Sequence, residues 1–291
     1  MPFHFAVLDP LDYHKKFMPN RIAIGFVIYD PTTTQLKRIK DACDLGFFVY
    51  VYDNTPDNNN SVTFADNRQN IVYLTCGKNA GLGLGITSIC AQAYYDKHTA
   101  LIFFDQDTRF NFETLSFIED YYNNNCDLKN NYSAILFKAT NHLHKKNDDG
   151  DNFRDVQLAI NSGSLFFLGN LKKLNWHNPN FFVDCVDYDF CLNSQIHGFK
   201  IGEFSATPGF DHSTEQDDAE YSVFGRKYLM RAYSRRRILD TTFASFKILY
   251  KSLKAARFVF FSQILKLFVT YMITQIFVRT VGSMFKVENS V

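Results

Sequence analysis

The chain lacks several signatures that would settle its chemistry at a glance. It has no Gly-Lys-Ser or Gly-Lys-Thr, which excludes a P-loop. Gly81-x-Gly83 has Ile86 where a third glycine would stand, which excludes the dinucleotide fingerprint. The six cysteines (Cys43, Cys76, Cys90, Cys126, Cys185 and Cys191) contain no Cys-x-x-Cys pair. That argues against zinc and disulfides and for reduced core thiols in a cytosolic protein. The first twenty residues hold no unbroken apolar run, because Asp9, Asp12, Lys15 and Lys16 interrupt it, so no secretion signal is expected there.

Net charge is also nearly absent, at +1 over 291 residues, but its distribution is uneven. Of the 31 Lys and Arg, 13 lie from Gly225 onward, against only Asp240 and Glu288 of the 30 acidic residues. A near-neutral total therefore hides an acidic body, residues 1–224, and a basic appendage, residues 225–291. Such asymmetry suits a catalytic or binding body with a tail aimed at an anionic surface.

What the chain does contain is organised around Leu101–Phe110, LIFFDQDTRF. An apolar run that enters Asp105-Gln106-Asp107 has the pattern of a buried parallel strand ending in charge. Ligands of open α/β sheets gather outside the carboxyl ends of such strands. Two carboxylates there need a cationic partner, and hard divalent cations prefer oxygen ligands. The competing reading is a solvated acidic turn.

Strand and helix patterns alternate around this stretch. Ile22–Tyr29 is a second apolar run, stopped by Asp30-Pro31, and Thr32–Thr34 can cap a helix with Leu36, Ile39 and Cys43 on its apolar face. Phe47–Tyr52 and Ile71–Leu74 follow as strands, and Asp57–Asn60 as a loop. The glycine-rich Gly77–Gly85 leads into a helix with Ile86, Ile89, Cys90 and Ala93 at i, i+3, i+4 and i+7. It has room for backbone amides to approach a ligand, or is simply a tight turn. A further helix carries Leu115, Ile118 and Tyr122. The alternation means βαβ units and a three-layer α/β sandwich with a mostly parallel central sheet.

Beyond a polar loop to about Asp155, in which His142 and His144 read as bystanders, Asn161-Ser162-Gly163-Ser164 precedes a strand. Small residues there would let a ligand lie against the backbone. Phe181–Leu192, FFVDCVDYDFCL, is a second acidic cluster. On a helix, Asp184 and Asp187 would share a face, with Asp189 turned away. A partly buried carboxylate of this kind can be poised as a general base. His212 follows a strand over Lys200–Phe204, where a divalent cation would accept a further ligand.

The tail places Tyr228, Leu229, Ile238, Leu239, Phe243, Phe246, Ile248 and Leu249 among basic residues at roughly helical spacing. Phe258–Val278 is apolar and long enough to span a bilayer, but Gln263, Lys266 and Gln275 favour an amphipathic helix lying in the membrane surface. The flanking polybasic run would be drawn to anionic lipid. The alternative is a helical subdomain that packs on the core or forms a homodimer. No module for nucleic acid is recognised, so none is expected as partner.

In this order the features resemble the inverting GT-A glycosyltransferases of family 2, in particular the branch of bacterial rhamnosyltransferases that build O-antigens and capsules. The resemblance runs from about Ile22 to Arg231. Ile28-Tyr29-Asp30-Pro31 resembles the family's first strand and its Tyr-Asn-Pro end. Val51-Tyr52-Asp53-Asn54-Thr55 resembles Val-Asp-Asn-Ser, and Asn79-Ala80-Gly81-Leu82-Gly83 resembles Asn-x-Gly-hydrophobic-Ala/Gly. Phe104-Asp105-Gln106-Asp107-Thr108 resembles the Asp-Gln-Asp-Ser form of the metal motif. Phe182–Leu192 resembles Phe-Ile-Asp-x-Val-Asp-x-Glu-Trp-Cys-Leu, with Asp189 and Phe190 replacing Glu and Trp. Asn193 stands where the family continues with Arg, and Tyr228–Ala232 is only loosely similar to its Tyr-Tyr-x-x-Arg-Asn.

The resemblance implies a GT-A, Rossmann-like fold with C-terminal basic amphipathic helices. It implies a nucleotide-sugar donor, first of all dTDP-L-rhamnose, bound by Tyr29, Asp53, Asn79, Gly81, Asp105 and Gln106. It implies Mg²⁺ or Mn²⁺ held by Asp107 and His212, with Asp187 as catalytic base and Asp184, Asp189, Ser162 and Gly163 in acceptor or supporting places. The acceptor would be a lipid-linked saccharide, and the enzyme would sit in the cytoplasm on the inner face of a bacterial plasma membrane. A UDP- or GDP-sugar donor is the alternative, as is a non-catalytic membrane-associated interaction protein. A nucleotidyltransferase would need an amino-terminal Gly-rich signature with a catalytic Lys or Arg, which the Ile22–Asp30 stretch lacks.

Overall fold

The computed structural model describes residues 22–56, 69–110, 112–125, 127–139, 152–207, 218–223, 225–280 and 282. The lead-in over 1–20, the loop at 57–60, Cys126, His142, His144 and His212 lie outside the described residues.

The sequence IAIGFVI makes β1 (Ile22–Ile28), in which every residue is buried. It is buried because it is central: β2 (Val49–Asp53) and β4 (Ala100–Asp105) both pair with it in parallel. Register sets Ile28 beside Asp53 and Val27 beside Asp105, so both aspartates emerge at the carboxyl end of the parallel strands. β3 (Ile71–Thr75) extends the parallel set beyond β2. Antiparallel β7 (Ser164–Phe167) joins β4 to β5 (Tyr132–Ala139); β8 (Lys200–Thr207) runs parallel to β5, and β6 (Phe153–Val156) closes the edge. The order across the eight-stranded sheet is β3-β2-β1-β4-β7-β5-β8-β6.

Helices cover both faces. On one, α1 (Thr33–Asp44) and α3 (Phe112–Asn124) bury Ile39, Cys43, Leu115, Ile118 and Tyr122 against the strands. Thr32 caps α1 in a full capping box with Gln35, as the Thr run implies. On the other lie α2 (Leu82–Tyr95), α5 (Leu168–Lys173) and α6 (Val186–Ile196), with Ile86, Ile89, Cys90 and Ala93 fully buried. The short α4 (Leu128–Asn131) leads into β5. The result is the three-layer α/β sandwich that the alternation implies.

The tail differs from its sequence pattern at its start. Tyr228 and Leu229 lie on a strand, β10 (Arg226–Met230), which pairs antiparallel with β9 (Ala219–Val223). The hairpin turns at Gly225, whose φ of 73° is open to glycine. A boundary between residues 224 and 225 thus falls within that turn. Helix begins only at α7 (Arg235–Lys254), where the Ser234 hydroxyl accepts from the Arg237 amide. α7 buries Ala244, Ser245, Ile248, Leu249 and Ser252 on the α2–α6 side of the domain. Its other face exposes Leu239, Phe243, Phe246, Tyr250 and Leu253, a stripe with steps of four, three, four and three.

α8 (Phe258–Thr280) has 23 residues and is long and apolar enough to cross a membrane. It packs along α7, burying Phe260, Ile264 and Gln275. The Gln275 amide accepts from the Tyr233 backbone and donates to the Arg231 carbonyl, which ties α8 to the segment leading into α7.

Candidate active site

Asp105 ends β4, and its backbone amide donates to Ser162 Oγ at 2.9 Å. Thr108 Oγ1 shares that hydroxyl at 2.7 Å. Ser162 and Thr108 are both buried, so the polar turn after β4 is anchored on the Asn161–Gly163 segment. Gly163, with φ of 79°, donates to the Phe103 carbonyl at 2.7 Å. Ser162 and Gly163 therefore hold backbone together in the space that the sequence offered to a ligand.

Gln106 closes the cleft from the other side. Its side-chain oxygen accepts from the Tyr29 amide at 2.7 Å and its nitrogen donates to the Tyr29 carbonyl at 3.3 Å, while Arg38 Nη1 reaches the Gln106 carbonyl. The Tyr29 ring stands half exposed above the sheet edge.

Asp187 occupies the first turn of α6 and accepts from Asn161 Nδ2 at 2.9 Å. Asp184 sits on the turn before α6 and not on the helix, because Cys185 adopts a left-handed φ of 65° and α6 starts at Val186. Asp184 and Asp187 consequently part company. Asp184 pairs with Arg237 at 3.0 Å, and Asp189, buried, pairs with Lys251 at 2.7 Å. Both acidic side chains placed near the acceptor by resemblance are gripped by α7.

The electrostatics single out two carboxylates. Loss of solvent pushes Asp105 up to about 7, helped by the negative charges of Asp187 and Asp107. Loss of solvent likewise raises Asp187 to about 7, with Asp184 adding to it. Asp105 thus feels the charges of Asp187 and Asp107, and the adjacent Ser162 and Asn161 hold the Asp105 backbone and the Asp187 carboxylate near one another. Among the described residues, no three His, Cys, Asp or Glu side chains are gathered closely enough to hold a metal by themselves. The donor set still fits a hard cation: Asp107 lies beside Asp105, whose proton affinity it raises, and carboxylate oxygens are the ligands Mg²⁺ or Mn²⁺ accepts, with the rest supplied by a substrate diphosphate.

The other sequence-identified residues have more structural surroundings. Asp53 is fully buried, accepting from the Thr55 amide at 2.7 Å and from the Tyr73 hydroxyl. Each oxygen accepts one of these bonds, which leaves further lone pairs for a base contact. Asn79 Oδ1 accepts from the Gly81 amide at 3.1 Å, and Asn54, which sequence reasoning passed over, clamps the same loop through Ala80 N and Gly81 O. The glycines are filled space. A Cβ on Gly81 would lie 2.5 Å from the Phe182 carbonyl, and one on Gly83 2.6 Å from the carbonyls of Asn178 and Phe181. They let α2 pack on the loop before α6, which corrects the expectation of room for a ligand at those two positions.

No family model and no curated protein matches the chain. Solved structures do. Staphylococcus aureus TarS residues 1–349 superposes with a TM-score of 0.57 at 14% identity, covering 89% of this chain and 75% of that one. The same fragment in complex with UDP-GlcNAc gives 0.53 at 14%, covering 85% and 71%. A longer TarS structure gives 0.54 at 13%, and the chain spans 44% of its length. At such identity the likeness establishes the fold, which is of the GT-A type.

Proposed function

We propose that the chain is an inverting glycosyltransferase that moves a sugar from a nucleotide diphosphate to an acceptor hydroxyl. The observation that carries this reading is that the neighbouring residues Asn161 and Ser162 hold the Asp187 carboxylate and the Asp105 backbone. Asp187 is held by Asn161 with its proton affinity raised to about 7, and it faces the electrostatic reach of Asp105 at the end of β4. A carboxylate so raised can take a proton at neutral pH.

In this reading Asp187 accepts the acceptor's hydroxyl proton as that oxygen attacks the anomeric carbon opposite the leaving diphosphate. One base and one displacement invert the centre, unlike the paired carboxylates of a glycosidase. Asp107, with His212, would hold Mg²⁺ or Mn²⁺, which when bound would neutralise charge on the departing diphosphate. Tyr29, Gln106, Asp53, Asp105, Asn79 and Gly81 line or brace the donor side.

The donor is first dTDP-L-rhamnose, on the strength of the Asp-Gln-Asp motif. A UDP-sugar is the second reading, favoured by the shared fold of TarS, which was crystallised with UDP-GlcNAc. The acceptor is a lipid-linked saccharide of a surface polysaccharide such as O-antigen or capsule. The exposed α7 stripe, together with Phe258, Val259, Leu265, Val269 and Ile273 of α8, supports docking in the plane of an anionic membrane on its cytoplasmic side. The bonds of Gln275 to the α7 lead-in favour this over a span, because crossing would break them.

The test is sugar transfer and hydrolysis over a panel of dTDP-, UDP- and GDP-sugars with Mg²⁺, Mn²⁺ or EDTA. Metal-dependent turnover confined to dTDP-rhamnose supports the full reading; turnover of a UDP-sugar alone replaces the donor; silence from folded protein overturns it. Salt-sensitive flotation with anionic vesicles, absent with neutral ones, tests the docking face.

A further inference from the structure

His177 lies beneath the cleft, 1% exposed, in a sandwich of rings. It stacks on Phe190 with centroids 4.5 Å apart and 14° between planes, and meets Phe166 edge-on at 5.0 Å. Its Nε2 is 3.2 Å from Asn161 Oδ1, while its Nδ1 is buried with no hydrogen-bond partner among the described residues. The residue stands in no motif of the donor, metal or base.

The chemistry of each group fixes the direction of this chain of bonds. An ionised carboxylate only accepts, so the Asn161 nitrogen must face Asp187. The Asn161 oxygen then faces His177, and an oxygen needs a donor, so the proton of the ring sits on Nε2. Nδ1 carries none, since an N–H there would be buried without an acceptor. The ring is therefore neutral, in agreement with a proton affinity lowered by burial. A protonated ring would have nowhere to put its second donor.

We infer that His177 is a positioning residue for the base: its Nε2–H fixes the Asn161 amide, which fixes the Asp187 carboxylate and leaves the second carboxylate oxygen toward the acceptor hydroxyl. This rests on the reading of Asp187 as the base. A remote imidazole gives this arrangement something a solvent contact would not. The donor is locked by ring packing, so the amide has one orientation and the carboxylate one rotamer. Partners of this outer kind typically matter by about tenfold to a hundredfold in activity.

Two substitutions separate the ring from its proton. His177→Phe keeps an aromatic between Phe166 and Phe190 but removes the donor. His177→Gln sets an amide nitrogen where Nε2 stands and removes the ring. Steady-state transfer should show kcat falling about tenfold or more in H177F, with H177Q recovering most of it and the donor KM unchanged in both. Activity in H177F equal to or above that in H177Q overturns the inference, since packing alone would then explain the residue. Nitrogen-15 NMR of the full chain reads the ring without turnover: a neutral ring at pH 6 and, with Asp187 ionised at pH 8, an Nε2–H tautomer are expected, and a charged ring at pH 6 or an Nδ1–H at pH 8 overturns the relay. Wild-type protein that transfers no sugar but shows the Nε2–H ring would instead sink the functional reading, and with it the catalytic meaning of the relay.

Discussion

Arg237 grips Asp184 with two nitrogens, Nη2 at 3.0 Å and Nε at 3.3 Å, and so fastens α7 to the turn that launches α6, the helix of Asp187. The Thr241 hydroxyl donates to the same carboxylate, and the Arg237 guanidinium lies 4.5 Å from the Tyr233 ring. The basic tail is thus bonded to the α/β body by a half-buried pair. Arg237→Ala should cost about 1–2 kcal/mol in urea denaturation, a charge-assisted bond discounted for partial exposure. Limited proteolysis should then cut first near α7. Unchanged stability and cleavage pattern would show that the tail docks by its apolar face alone.

Lys251 neutralises buried Asp189 one turn further along α6. Lys251→Met should destabilise by about 2–4 kcal/mol, because it strands a charge with little access to water. Adding Asp189→Asn should restore most of the loss. A double variant no more stable than the single one would contradict this account of the pair.

Gly81 and Gly46 share a φ of 89°, but only Gly81 is crowded, by the Phe182 carbonyl. Gly46→Ala should cost about 1 kcal/mol, the strain of the backbone alone. Gly81→Ala should cost about twice that or more, and weaken donor binding by moving the Asn79–Gly81 loop. Thermal denaturation of the two variants side by side makes the comparison; equal losses would mean that the contact yields.

Asp187 and Asp105 each hold their proton up to about 7 in the folded chain. An unfolded aspartate releases it near about 4, so the folded state binds more protons between those limits. Stability of the metal-free protein should therefore fall as pH rises from about 4 to about 7 and level off beyond. Asp105→Asn or Asp187→Asn should flatten that slope. Transfer should climb with pH through about 7, as the base ionises. Mg²⁺ or Mn²⁺ should raise the melting temperature at pH 8, and EDTA should reverse it. Stability that climbs through this interval, or a cation without effect on melting, would count against the cleft as described.

The sheet was legible because burial on two faces leaves an unambiguous mark. IAIGFVI and LIFF have no polar position, and only a central strand tolerates that. The helical faces around Ile39, Ile89 and Ile118 were equally plain, since 3.6-residue periodicity is local. Asp105 and Asp187 were legible through motif resemblance, though which atoms hold them was not. Asn161 meets Asp187 across 26 positions, and Lys251 meets Asp189 across 62. Such pairings depend on topology, which a window of sequence does not contain. The same holds for Gly81, whose neighbour Phe182 is about a hundred residues away, and for β10, where hairpin pairing overrode the helical spacing of Tyr228 and Leu229.

Removal of the acceptor's proton by Asp187 is tested most directly by Asp187→Asn, with nucleotide-sugar binding by calorimetry and sugar transfer measured on the same preparation. Transfer should fall by about a hundredfold or more, with donor affinity within about twofold of wild type. Transfer that survives, or donor binding lost together with transfer, would contradict it and make Asp187 a structural or donor-binding residue.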